Sequence, residues 1–293
     1  MPVDRADIRI PSHGKLLAAY LYRPAVDVPV PCVVMAHGFS ATRDDSLPGY
    51  AEAFCRAGYA AVVFDYRYFG ASTGEPRQFL DLTAQHDDYR AVIAWARRAE
   101  GIDPDRIVLW GSSFSGGHVL AVAAGDPRIA AVIAQAPFTD GLAVIRQIPY
   151  RTLKRIGLAW ALDLVAARLG AKPVHLRVIG RPGTVAIMAQ PDAVPGFTAM
   201  LDPDTRWSNE VTARALMPVV FFRPCRLAGR LSMPVLFCVC DGDLATPPGP
   251  SLQAAQAAPR GELRRYPYGH FDIYNDPQAK VDQVEFLRRV FGS

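Results

Sequence analysis

The sequence predicts an α/β fold: a mostly parallel central sheet with helices on both faces, interrupted once by a largely helical insertion. Short β-branched runs alternate with helix-period stretches through the first half of the chain. The alternation stops between about Thr139 and Arg230, where prolines stand at 149, 173, 182, 191, 195, 203, 218 and 224, and then resumes to the C-terminus. Strands separated by helices require parallel pairing, because each crossover returns the chain to the same edge.

Ala6 to Ile10 and Leu16 to Tyr22 read as an opening antiparallel pair, and Pro31 to Ala36 as the first parallel strand. A helix over Ser46 to Arg56 follows, then a strand over Ala60 to Phe64 and a helix over Leu80 to Arg98. Arg106 to Trp110 (strand), Ser113 to Ala124 (helix) and Ile129 to Gln135 (strand) complete this half. After the insertion come Pro234 to Cys240 (strand), Pro250 to Ala258 (helix), Glu262 to Tyr266 (strand) and Gln278 to Phe291 (helix). The core domain is therefore expected over 1–138 and 231–293, with 139–230 as a cap, since loops at strand C-termini are where open α/β sheets bind ligands.

With 293 residues, half of them hydrophobic, the chain can bury a substantial core. A formal charge of +4 is too mild to argue for nucleic acid. The apolar stretch Ile156 to Gly170 is too short to span a bilayer and carries Asp163 and Arg168, so no membrane partner is expected. MPVDRADIRI has no cationic start followed by an apolar run, so neither a secretory signal nor a transit peptide is read and a cytoplasmic location is expected. Five cysteines, three of them in β-branched runs, read as small core residues without a disulfide framework. There is no CxxC, HExxH, strand-following GxGxxG or P-loop, so no metal and no cofactor is expected.

The most informative run is Arg106-IVLW-Gly111-Ser112-Ser113-Phe114-Ser115-Gly-Gly117. A strand that turns sharply into a helix exposes a nucleophile at the turn, and small residues two positions before and after it prevent clashes. Gly111 and Ser115 hold those positions around Ser113; serine at the later one departs from the usual glycine. Ser112 would have Trp110 and Phe114 there, and Ser115 falls inside the helix.

Serine chemistry of this kind needs an imidazole base and a carboxylate on later sheet-end loops, in the chain order serine, acid, histidine. Of six histidines only His270 follows the resumed sheet. The acid comes from Asp241-Gly-Asp243 after the Pro234 to Cys240 strand, with Asp243 preferred over Asp241 because it lies farther into the loop. An oxyanion needs two backbone donors. Phe114 follows the nucleophile, and Phe39 of His37-Gly-Phe39-Ser40 stands after the first parallel strand.

Over nearly its whole length the chain resembles the α/β-hydrolase superfamily, and more closely the hydrolases related to Xaa-Pro dipeptidyl-peptidases and dienelactone-hydrolase-like esterases. HGFS, DYRYFGASTGEPR from Asp65, GSSFSGGH, GDLATPP and GHFDIY carry the resemblance. It implies an α/β-hydrolase fold and a serine hydrolase that cleaves carboxylic esters or thioesters through an acyl-serine, without a cofactor. The DxRxxGxSxG loop is implied to support the site from below. IGRPG, FFRPCR and Trp207 look like a subgroup with polyketide-pathway hydrolases, so an acyltransferase using the same acyl-serine is the alternative. A non-catalytic binding protein on this fold is a third reading. Dehalogenase or epoxide-hydrolase chemistry would need aspartate in place of Ser113.

The insertion is also unevenly charged. From Asp140 to Arg230 there are thirteen Lys plus Arg against six Asp plus Glu, a net of about +7. That excess predicts a small-molecule acyl substrate bearing an anionic group, such as a free carboxylate or a carrier phosphate. Arg223 and Arg226, flanking Pro224 where the chain returns to the core, are the expected substrate-binding residues. Oligomeric state is left open.

Overall fold

The computed structural model describes residues 3–292. It opens with the hairpin β1 (Asp4–Ser12) and β2 (Lys15–Arg23), paired in register from Asp4↔Arg23 to Ser12↔Lys15. His13 and Gly14 close it with φ of 45° and 73°, the two-residue turn whose twist matches that of the strands. Then follow β3 (Val30–Ala36), α1 (Leu47–Arg56), β4 (Ala60–Phe64), α2 (Leu82–Ala96), β5 (Ile102–Ser112), α3 (Phe114–Ala123) and β6 (Ala131–Gln135).

Between β6 and the next sheet strand the chain forms α4 (Gly141–Ile145), α5 (Tyr150–Arg168), β7 (His175–Ile179), β8 (Ala186–Met188), α6 (Ala193–Met200), β9 (Val211–Thr212) and α7 (Leu216–Phe221). It rejoins the sheet at β10 (Val235–Cys240) and ends with α8 (Pro248–Ala257), β11 (Gly261–Tyr266) and α9 (Pro277–Phe291).

The large sheet has the order β1-β2-β4-β3-β5-β6-β10-β11, antiparallel across the first two pairings and parallel elsewhere. β3, β4, β6 and β10 are buried at every position, as expected of parallel strands covered on both faces. α1 packs against α9 and α2 against α3, forming the helical layers. The chain leaves β3 toward β4 and then crosses back to β5 on the other side of β3. This reversal brings the loops after β3 and β5 together at the strand C-termini, the crevice where open α/β sheets take ligands. Behind it a buried polar chain locks α9 to the sheet. Trp110 Nε1 donates to Gln283 Oε1 (2.8 Å), Gln283 Nε2 to Gln135 Oε1 (2.7 Å), and Gln135 Nε2 to Ser112 Oγ (3.1 Å).

Two differences from the sequence reading stand out. β5 begins at Ile102 rather than Arg106, passing Pro104 with a register shift between Val30 and Cys32 on β3. The insertion, mostly helical, also holds a three-stranded sheet of order β8-β7-β9. β8 and β9 have three and two residues, too few to show a two-residue period. The unit is tied together by Asp163 of α5. Its fully buried carboxylate accepts from the amides of Val174 and Arg214, each at 2.8 Å. Among the described residues no helix is long and apolar enough to cross a membrane.

Candidate active site

Ser113 sits between β5 and α3 with φ 56° and ψ −121°, a conformation that costs a non-glycine residue on the order of 1–3 kcal/mol. The surroundings hold it there: its amide donates to Gln135 O (2.9 Å) and its carbonyl accepts from Phe138 N (2.8 Å). Gly111 is required, because a Cβ on it would lie 2.2 Å from the Ser115 carbonyl oxygen. The serine at 115 is accommodated because its side chain turns away from the elbow into two buried tyrosines. Its Oγ lies 3.0 Å from Tyr66 Oη and 2.6 Å from Tyr89 Oη, and Tyr89 donates onward to Trp110 O (2.9 Å). With Ser112 facing Gln135, the three neighbouring serines have separate environments, and Ser113 alone meets an imidazole.

His270, on the loop after β11, places Nε2 2.9 Å from Ser113 Oγ and Nδ1 2.6 Å from Asp243 Oδ2. The carboxylate fixes the tautomer: Nδ1–H donates to Asp243, leaving Nε2 to accept from the serine hydroxyl. Asp243 is itself held. Oδ1 accepts from Ala245 N (2.9 Å) and Thr246 N (2.6 Å), and Thr246 Oγ1 donates to Oδ2 (2.8 Å). All three side chains are buried. Asp241 takes a different path, accepting from Arg265 Nε at 2.8 Å in an exposed pair. Thr246, three residues past Asp243 in GDLATPP, was not singled out in the sequence.

Phe39 and Phe114 flank Ser113, their rings 5.6 Å apart. Phe114 is the first residue of α3, so its amide has no carbonyl partner within the helix. Both line a cavity of about 510 Å³ that opens over Ser113. α4, the start of α5 and the turn between them, β8 and α7 supply much of the wall, chiefly through Val144, Ile148, Leu153, Ile156, Met188 and Val219. Among the described residues no charged side chain lines it.

This corrects the expected role of Arg223 and Arg226. Neither reaches the cavity. Arg223 Nε and Nη2 donate to Asp140 Oδ2 at 3.0 and 2.6 Å, and Arg226 is exposed. Where the chain returns to the core it is Phe222 that turns inward, stacking on Phe138 at 6.2 Å and meeting Phe114 edge to face at 5.8 Å, so the residue after it faces out. Eleven of the thirteen basic side chains of the insertion are exposed, and the other two, Arg214 and Arg223, pair with Asp163 and Asp140.

The X-Pro dipeptidyl-peptidase (S15 family) signature covers residues 13–176, more than half of the chain. The chain belongs to that family. This S15-family chain is 45% identical over 294 residues to the quorum-quenching protein AidA of Acinetobacter baumannii (strain MDR-ZJ06), covering 99% of this chain and 96% of AidA. It is 31% identical to the polyketide transferase ATR5 of Stachybotrys chlorohalonatus (strain IBT 40285), across 94% of each chain. Its fold is that of the α/β hydrolase GrgF of Penicillium sp. sh18, with a TM-score of 0.83 at 23% identity over 99% of this chain and all of GrgF. The protein is a serine hydrolase on the α/β-hydrolase fold.

Three further histidines of this S15-family member lie near the site. His37 Nδ1 donates to Gly38 O (2.9 Å), and burial pushes its pKa down to about 4. On α3, His118 Nε2 donates to Gln85 Oε1 (2.8 Å), which leaves Nδ1 to accept from His86 Nε2 (2.9 Å). Burial lowers His86 to about 4 and His118 well below the ordinary imidazole value. The His118 ring lies 4.5 Å from the Phe114 ring, so a neutral imidazole pair backs the start of α3. Chain order set these residues aside as bases; nothing in the sequence signalled their pairing. In the DxRxxG loop, Asp65 accepts from Arg43 N (2.7 Å) and Ala71 N (2.9 Å), and burial pushes its carboxyl up to about 7. Arg67 is anchored on Asp88 by Nε (2.8 Å) and Nη2 (2.6 Å). Among the described residues no group of three or more His, Cys, Asp or Glu is placed to hold a metal ion.

Proposed function

We propose that this hydrolase cleaves carboxylic esters or thioesters of uncharged acyl groups through an acyl-Ser113 intermediate, with His270 as base and Asp243 as its orienting carboxylate. The observation that carries the reading is the 2.9 Å contact of His270 Nε2 with Ser113 Oγ at the floor of an apolar cavity. Ser113 Oγ attacks the acyl carbonyl as its proton passes to Nε2, and Asp243 stabilises the imidazolium. The amides of Phe39 and Phe114 hold the oxyanion, each donor contributing roughly 2.7–4 kcal/mol. His270 then protonates the leaving group, and water completes the second half.

Residues 139–230 act as a cap over this chemistry. A wall without charged side chains favours a neutral acyl group, since an anion would lose its hydration there without gaining a partner. The anionic or carrier-phosphate expectation therefore has no support from the lining. Acyl transfer is the second reading, favoured by the full-length relationship to a protein named as a polyketide transferase. We extend to this chain the quorum-quenching role in AidA's name, with the small molecule it hydrolyses as the signal. Five free cysteines suit a reducing cytoplasm.

A panel of neutral and carboxylate-bearing acyl esters and thioesters, in short and long chain lengths, tests the reading. Neutral acyl groups should show the higher kcat/KM in both series. Turnover confined to carboxylate-bearing substrates would overturn it.

A further inference from the structure

The basic excess of the insertion, which the cavity does not use, is concentrated on one helix. Of the thirteen cations, Arg151, Lys154, Arg155, Arg168 and Lys172 stand on α5 or just beyond its end, all of them exposed. None of these five forms an ion pair among the described residues. The only carboxylate of α5 is Asp163, which is fully buried and held by the amides of Val174 and Arg214.

The same helix turns apolar side chains outward. Leu158 (62% exposed), Leu162 (53%), Val165 (52%) and Leu169 (76%) follow one another at helical spacing and form a single stripe. At about 100° per residue, Arg151, Lys154 and Arg155 fall on the same side, within about 60° of the centre of that stripe. The opposite side carries Leu153 and Ile156, which line the cavity, and Asp163, which ties α5 to the rest of the insertion. A surface helix of a soluble domain turns its apolar side to the core and its polar side to water. α5 is apolar on both sides, and the outer stripe is left uncovered.

We infer that the outer face of α5 docks on a membrane surface that carries anionic lipid headgroups. A helix of 19 residues with four cations does not span a bilayer, but one lying in the interface needs only an apolar side and cations placed to meet phosphates. The stripe enters the boundary between headgroups and acyl chains, and the cations at its two ends meet the headgroup phosphates. A second copy of the chain fits this face less well. Pairing α5 on α5 brings both sets of cations to one interface to which neither helix adds an exposed carboxylate. Docking holds the cavity wall about one helix diameter, roughly 10–12 Å, from the lipid. A neutral acyl compound dissolved in the bilayer is then the substrate brought within reach; that consequence, unlike the docking itself, rests on the acyl-Ser113 reading above.

The test is sedimentation of the intact protein with vesicles of phosphatidylcholine alone or with about one third phosphatidylglycerol. At low salt the partition coefficient on the anionic vesicles should be at least about tenfold that on the neutral ones, and should fall as salt is raised. Replacing Arg151, Lys154 and Arg155 together by glutamine should lower it about tenfold or more, and so should Leu158→Gln combined with Leu162→Gln. The same loss of charge on the core, at the exposed Arg98, Arg260 and Arg264, should change it by less than about threefold. None of these side chains lines the cavity, so circular dichroism and turnover of a soluble ester should be unchanged in every variant. Equal binding to the two vesicle types would overturn the inference without recourse to any variant. An equal loss from the α5 and core arginine variants would also overturn it, by assigning the binding to overall charge. So would a dimer in light scattering that Leu162→Gln converts to monomer, which would give the face to a second copy. Binding needs no turnover, so a protein that sediments with anionic vesicles but never carries an acyl group on Ser113 would contradict the acyl-enzyme reading and leave the docking supported.

Discussion

The floor of the cavity is a chain of hydrogen-bonded polar side chains, whereas its walls are chiefly apolar. Ser113, His270 and Asp243 are joined at 2.9 and 2.6 Å, and the carboxylate is held by two backbone amides and a threonine hydroxyl. The walls come largely from a segment of net charge about +7, yet among the described residues no charged side chain faces the cavity. Local geometry explains the contrast. Floor residues sit on loops at fixed strand ends, where position in the chain dictates position in space. Wall residues sit on helices with two faces, where net charge says nothing about which face turns in.

The sharpest way to break this comparison is at the acid. Asp243→Asn should lower kcat by roughly 10⁴, because the imidazole loses the acceptor that fixes its tautomer. Asp241→Asn, which disturbs an exposed pair with Arg265, should stay within about threefold. Steady-state kinetics on both variants decide it, and reversed effects would move the acid to Asp241.

A smaller effect tests the neutral imidazoles behind the floor. In the unfolded chain histidine titrates near 6.5, whereas burial holds His37 and His86 down to about 4. Between those values the unfolded state binds the extra protons, so these groups withdraw stability as pH falls from about 6.5 to about 4 and have no such effect above that window. His86→Gln keeps a donor for His118 Nδ1 while removing one titrating group. Chemical unfolding across the window should show a pH dependence flatter than that of the unaltered protein by up to about 3 kcal/mol. Parallel curves would refute the buried neutral pair.

The smallest effect is expected from the walls' unused charge. Arg223→Gln and Arg226→Gln should leave the ratio of kcat/KM for matched neutral and carboxylate-bearing esters within about twofold, at low and at high salt. A salt-sensitive loss of preference for the anionic ester would return these arginines to the site.

What was legible in the sequence follows the same division. β/α alternation located the strands, and the chain order serine, acid, histidine pointed to the loops after β5, β10 and β11 for Ser113, Asp243 and His270. Small-residue spacing around Ser113 was readable since Gly111 answers to a steric demand that only glycine meets. Thr246 was missed because a threonine in a turn has no distinguishing pattern, although its hydroxyl supports Asp243. The His86–His118 pair was missed because its members come from separate helices, 32 positions apart. Arg223 was misplaced because a residue beside a chain return faces in or out according to its neighbour, and Phe222 took the inward place.

The central claim, that Ser113 carries the acyl group, is tested most directly by acid-quenching the enzyme during turnover of a slow ester and mapping the modified peptide by mass spectrometry. The account expects the acyl mass on Ser113, its loss in Ser113→Ala together with fluorophosphonate labelling, and its retention in Ser115→Ala, whose hydroxyl faces Tyr66 and Tyr89 instead of the cavity. An acyl group that persists in Ser113→Ala, or one mapped to Ser115, would contradict it.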